Sequence, residues 1–175
     1  FQQAFQANLA SMQDGNSANL VIMDQFGVKE VTPELVRQFA ECGATDILFF
    51  ISSSYIRRFI DTPELGSKFD MKAEEVKTLD YNGTHRFVCD YFREKLGAKH
   101  FYLAPFSIKK GGNIHGVIFG SGSLLGLEKS LKVCWKTYAI TGEANYNIDW
   151  DFSWGGQKSL FDSEHSITKV ELFDQ

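Results

Sequence analysis

Cysteine is scarce and poorly placed for cross-linking. The three present, Cys42, Cys89 and Cys134, are odd in number and far apart, whereas disulfide frameworks and zinc clusters show short spacings such as C-x-x-C. Reduced, buried thiols are the expected state. They imply a reducing compartment, the cytoplasm. Long apolar runs are missing as well: none nears the ~18 residues of a membrane span, so no membrane partner is expected. The start, Phe1-Gln2-Gln3-Ala4-Phe5, has neither the basic front nor the apolar block of a signal peptide. It also has no initiator Met, and a trimmed or processed chain is expected. Positive charge is not in surplus: the net charge is −4, so the surface as a whole does not attract nucleic acid. His85, His100, His115 and His165 show no metal-ligand spacing, and no metal is expected. Ser52-Ser53-Ser54 lacks the G-x-S-x-G elbow of a serine hydrolase.

What is present suits one folded domain. The chain has 175 residues, 43% hydrophobic, with 16 Phe, enough to fill a core. Ala18–Asp24 is a short apolar run closing on an acid, which predicts a buried strand. Thr32-Pro33-Glu34 is helix-start chemistry: a capping hydroxyl, a proline at the first helical position, an acid on the positive end. Leu35, Val36, Phe39 and Ala40 follow at helical spacing, and Gly43 supplies a left-handed stop. Thr45–Ile51 predicts a second buried strand. Thr62-Pro63-Glu64-Leu65 repeats the helix start. A longer helix follows, with Phe87, Val88, Tyr91, Phe92 and Leu96 on one face and Gly97 as its stop.

Residues 100–108 predict a strand, Lys109–Asn113 a turn, and residues 114–119 a returning strand, together a hairpin. A helix over 124–138 closes the packed part. Beyond Thr141-Gly142-Glu143 the period fades, and residues 141–175 are expected to be an irregular tail packing through Trp150, Trp154 and Phe161. Strand–helix alternation implies parallel crossovers and an α/β class. A parallel set ending in an antiparallel hairpin is also how the Rossmann-like methyltransferase sheet ends. Ligands of such doubly wound sheets sit beyond the carboxyl ends of the parallel strands. Asp24 to Gly27, Ser52 to Tyr55 and the Lys109-Lys110 turn all fall on that edge.

Asp24-Gln25-Phe26-Gly27 is the sharpest motif. Amino-group methyltransferases carry an acid or amide, then proline, then an aromatic, at this point. The acid and the next carbonyl accept hydrogen bonds from a nucleobase amino group, and the aromatic stacks on the flipped-out base. A helix-entry loop whose Asp bonds local backbone is the plainer alternative. Gly120-Ser121-Gly122-Ser123-Leu124-Leu125-Gly126 imitates a dinucleotide loop. However, no strand ending in an acid follows at the right distance, and the hairpin puts this loop on the edge opposite Asp24. Arg57, Arg58, Lys109 and Lys110 are candidate phosphate contacts near Asp24, or ordinary solvated charge.

Several modest motifs occur in a particular order. They are Met23–Gly27, Thr45–Phe50, Val117–Ser121 with Leu125-Gly126-Leu127, Trp135, and Thr141-Gly142-Glu143-Ala144-Asn145-Tyr146. In this the chain resembles the three-Cys-motif partner proteins over roughly residues 18 to 148. These are bacterial, methyltransferase-like proteins, often carried on mobile elements and encoded beside a protein with a three-cysteine cluster. The cysteines of the present chain are not that cluster. The resemblance implies S-adenosylmethionine as cofactor and a three-Cys-motif protein, with or without nucleic acid, as partner. Asp24 and the Gln25 carbonyl would orient a nucleobase amino group, and Phe26 would stack on the base.

This sequence departs from the family twice. Gln25 stands where the family usually has Pro, so rigidity is lost. The glycine-rich cofactor loop and ribose acid should lie well upstream of Asp24, where there is only Gly15 and no strand pattern. The expectation is therefore the C-terminal half of a doubly wound, Rossmann-like methyltransferase sheet. Residues 1–140 would form it without the N-terminal cofactor half, and would not bind S-adenosylmethionine alone. A non-catalytic, degenerate partner or nucleic-acid-binding protein remains the alternative. A strand at 18–23 deprived of a neighbour would self-associate, or residues 1–17 would fold back over its edge.

Overall fold

The computed structural model describes residues 2–24, 31–66, 68–80, 82–97, 100–138, 142–146 and 148. Its first element is a helix, α1 (Gln2–Met12), where no element is predicted. Phe5 anchors α1: its ring is buried edge-on against Phe39, with centroids 4.7 Å apart. Strand β1 (Asn19–Met23) follows. Asn19 ties the two together, its Nδ2 donating to Met12 O at 2.9 Å and to Thr45 Oγ1 at 3.1 Å.

Helix α2 (Pro33–Ala40) starts as its sequence dictates, with Thr32 Oγ1 accepting from Leu35 N–H at 3.3 Å. It buries Leu35, Val36 and Phe39. Gly43 then takes φ 67° and delivers the chain into β2 (Thr45–Ser52). Helix α3 (Ser53–Phe59) begins directly on β2, capped by Ser52 Oγ. Thr62 does not cap the single turn α4 (Pro63–Gly66); its hydroxyl donates back to Phe59 O at 2.7 Å. Helix α5 (Ala73–Thr78) leads to α6 (Thr84–Leu96), which buries Val88, Phe92 and Leu96 and stops at Gly97, φ 67°.

Strands β3 (Tyr102–Lys110) and β4 (Asn113–Ser121) form the hairpin. Here the structure corrects the predicted turn. Lys109 and Lys110 belong to β3, because the ladder runs intact to Lys110↔Asn113 and leaves only Gly111-Gly112 to reverse the chain. Helix α7 (Leu124–Thr137) is the last regular element among the described residues.

The sheet order is β1-β2-β4-β3, with β1 and β2 parallel and β4 antiparallel to both neighbours. The class is thus α/β with a mixed sheet. Helices α2, α3 and α6 cover one face, where Ile47, Phe49, Ile51 and Ile118 are buried. Helix α7 lies on the other face, against β3 and β4. There Leu20 and Ile22 of β1 remain 65% and 59% exposed.

After α7 the chain crosses the outer edge of β3. Ser107 N–H donates to Glu143 O at 2.7 Å, and Asn145 N–H donates to Ser107 O at 3.0 Å. This makes an isolated parallel bridge, Ser107↔Ala144. The cysteines are free, Cys42 and Cys89 buried and Cys134 half-buried. Burial pushes all three thiols up, that of Cys89 to about 12. Among the described residues, no helix is long and apolar enough to cross a membrane. Trp150, Trp154 and Phe161 lie outside the described residues.

Candidate functional site

A cavity of about 330 Å³ opens at the carboxyl ends of β1 and β2, lined by Asp24, Phe50, Ile108, Lys110 and His115. Strand register accounts for the grouping. Side chains alternate between faces, and Met23 pairs with Phe49, which sets Asp24 beside Phe50. His115 pairs with Ser52 on one side and Ile108 on the other. Lys110 lies two residues beyond Ile108 on the same face. A carboxylate, an ammonium and an imidazole thus surround an apolar floor of Phe50 and Ile108. Such a site can hold a small, partly flat ligand between an acceptor and a cation.

Of the sequence-predicted residues, Asp24 and Lys110 share this cavity; Gln25 and Phe26 lie outside the described residues. The other basic candidates do not join them. Arg57 is drawn toward α5, its Nη2 donating to Lys77 O at 3.0 Å. Arg58, on the same helix, does not line the cavity. Lys109 falls on the opposite face of β3, its ammonium 5.4 Å from the centre of the Tyr146 ring. Phe50 and His115 are the residues that sequence reasoning missed. Period-two alternation puts Phe50 on the face of Asp24 and hairpin register puts His115 beside Ile108, but only the pairing of β4 with β2 brings the two together.

A larger apolar groove of about 490 Å³ adjoins the cavity on the same face, between α7 and the sheet, and shares Ile108. Leu20, Leu48, Phe106, Phe119 and Val133 line it. The glycine pattern at 120–126 lies on the far edge, as Asp46↔Ser121 shows. Two of its glycines, Gly120 and Gly126, serve packing. A Cβ on Gly120 would come within 2.8 Å of Ile47, Leu103 and Phe101, and one on Gly126 within 2.5 Å of Ser121 Oγ.

A second polar cluster holds the β3 edge. Arg86 donates to both Glu143 oxygens, at 2.6 and 2.7 Å. The fully buried His85 brings Nε2 to 3.7 Å from Glu143 Oε1, an electrostatic approach longer than a hydrogen bond. Burial opposes charge on Glu143, but His85 and Arg86 outweigh it and lower the carboxyl to about 2. Gly116 makes room for His85, since a Cβ there would stand 2.5 Å from the His85 Cβ. The Tyr146 hydroxyl reaches Ser107 Oγ at 3.0 Å and Asn82 Oδ1 at 3.2 Å. The described part of the Thr141–Tyr146 motif therefore works as a clasp, closed on β3 by backbone, carboxylate and hydroxyl together.

Among the described residues, no three His, Cys, Asp or Glu side chains gather as a metal site requires. Compared with known protein families, with curated proteins and with solved structures, the chain finds no match.

Proposed function

We propose that the Asp24 cavity takes up the amino group of a nucleobase, and that these residues are the target side of an S-adenosylmethionine-dependent methyltransferase. The observation that carries the reading is the meeting of Asp24, Phe50, Lys110 and His115 in one cavity beyond two parallel strands. That is where ligands of open α/β sheets bind. Its volume, about 330 Å³, is at the small end of ligand pockets (~300–1,000 Å³). The Asp24 carboxylate accepts a hydrogen bond from the amino N–H and so turns the nitrogen lone pair outward. Phe50 offers its ring to the base, and Lys110 meets a flanking phosphate. The strand order, with a hairpin finishing the parallel set, is further support.

The described residues do not fit S-adenosylmethionine. Gly120 and Gly126 beside α7 leave no room, since a Cβ on either would come within 2.5–2.8 Å of a neighbour, and they lie on the edge away from Asp24. No other described strand-to-helix turn is glycine-rich. The contribution of this chain is then binding and orientation of the acceptor.

The test is titration calorimetry with nucleoside monophosphates. Adenine and cytosine nucleotides, which carry an exocyclic amino group, should bind better than uridine monophosphate. Asp24→Ala should weaken them about tenfold, the scale of one hydrogen bond to a charged group. Equal affinity for all bases, or an unchanged Asp24→Ala variant, would defeat the reading.

The non-catalytic reading, in which the chain serves as a partner protein, draws its support from Leu20 and Ile22. Their exposure on β1 gives the sheet a surface suited to another polypeptide.

A further inference from the structure

We propose that β1 is an intermolecular edge, on which a second copy of this chain pairs antiparallel about a twofold axis through Val21. Among the described residues β1 has one strand neighbour, β2. Asn19 N–H donates to Ala44 O at 2.8 Å. By the alternation of a parallel ladder, residues 19, 21 and 23 turn their backbone groups toward β2. Leu20 and Ile22 turn theirs outward.

Among the described residues nothing guards this edge. Natural edge strands carry a lysine, a proline, a bulge or a covering segment. Asn-Leu-Val-Ile-Met has no charge and no proline, and it pairs with β2 in unbroken register. Helix α1 does fold back, but it places Phe5 against Phe39 on the core face and leaves Leu20 and Ile22 exposed.

Charge depletion extends beyond the strand. Residues 1–23 contain one charged side chain, Asp14, in a chain that is 23% charged. Exposed positions on α1 include Gln3, Gln6, Ala7, Asn8, Ala10 and Ser11, none of them charged. Loss of charge from exposed surface is the compositional mark of an interface core. It also selects the occupant. A neutral strand flanked by a neutral helix is complementary to itself, with no like charges opposed across the axis.

In that pairing Leu20 and the partner's Ile22 exchange N–H and C=O, twice by symmetry. The two exposed side chains then sit side by side. Val21 faces the partner's Val21 as a non-hydrogen-bonded pair, with Cα atoms ~4.5 Å apart.

The inference does not use the Asp24 cavity, so nucleotide binding and self-association can fail separately. Light scattering coupled to size exclusion should give about twice the 19.8 kDa chain mass. Leu20→Lys/Ile22→Lys, made at exposed positions, should raise the dissociation constant about 100-fold by opposing like charges. Circular dichroism should stay unchanged. In a Cys134→Ser background, Val21→Cys should form a disulfide-linked dimer under mild oxidant, because non-hydrogen-bonded pairs match disulfide spacing.

A monomer at ~100 µM, a concentration that would populate any dimer held by more than about 5.5 kcal/mol, would overturn the proposal. So would a dimer indifferent to the two lysines. So would one broken instead by Leu124→Lys/Leu125→Lys, which would put the interface on α7.

Discussion

Along β3 the outer backbone is occupied. Ser107 bonds on both sides of Ala144, Asn145 grips the Lys109 backbone at 2.7 and 3.2 Å, and Arg86 holds Glu143 in two hydrogen bonds. Along β1 the outward groups of Leu20 and Ile22 meet no described strand. The two edges belong to one sheet yet are finished in opposite ways. Closing an edge takes a segment whose own donors and acceptors match the strand, and whose side chains anchor it to the layers on either side. The segment at 142–146 does this with few residues. Helix α1 reaches β1 only through its last carbonyl, Met12 O, which accepts from Asn19 Nδ2; along its length a helix spends its backbone groups internally.

The contrast is sharpest at Gly142. It has φ 62°, and a Cβ there would come within 2.2 Å of the Trp135 ring. Gly142→Ala should cost about 3 kcal/mol, combining left-handed strain with overpacking. Urea unfolding will measure it. A loss below ~0.5 kcal/mol, the scale of an ordinary surface substitution, would mean that the clasp contributes little.

Glu143 gives the next effect, through pH. Its carboxyl falls from 4.5 to about 2 on folding. A depressed folded value means that the stabilisation is complete above pH 4.5 and drains away as pH falls toward 2. The shift corresponds to about 3 kcal/mol, and the 19% exposure of the side chain trims this to about 2 kcal/mol. Unfolding measured from pH 6 to pH 2 should show the loss, and Glu143→Gln should flatten that acid limb. An identical acid profile in the variant would remove Glu143 from the account.

The smallest effect belongs to the open edge. Leu20→Thr, at a side chain 65% exposed, should change monomer stability by less than about 0.5 kcal/mol. It should nevertheless weaken any β1-to-β1 pairing, which separates folding from association in a single variant. A loss above ~1 kcal/mol in a monomeric sample, beyond the range of exposed sites, would show that this face is covered after all.

The sequence alone determined what depends on neighbours along the chain. Thr32-Pro33-Glu34 specifies a helix start because cap, ring and charge act within one turn, and Thr32 caps as expected. Gly43 and Gly97 stop segments because positive φ strains any side chain. The hairpin and the class followed from alternation. It also placed Asp24 and Lys110 on one edge, since strand direction alone puts both there. Local chemistry was not always enough: Thr62-Pro63-Glu64 carries the same signal as Thr32-Pro33-Glu34, yet yields one turn in which the threonine bonds backward.

What only the tertiary structure decided depends on register and on which face is already full. Phe50 and His115 join Asp24 because β4 inserts between β2 and β3, a pairing between residues more than sixty positions apart. Lys109 and Lys110 read alike in sequence, but the pleat sends them to opposite faces, and only Lys110 reaches the cavity. Helix α1 carries almost no periodic signal. It forms because the core offers Phe5 a place against Phe39, and burial of one aromatic side chain outweighs weak local preference.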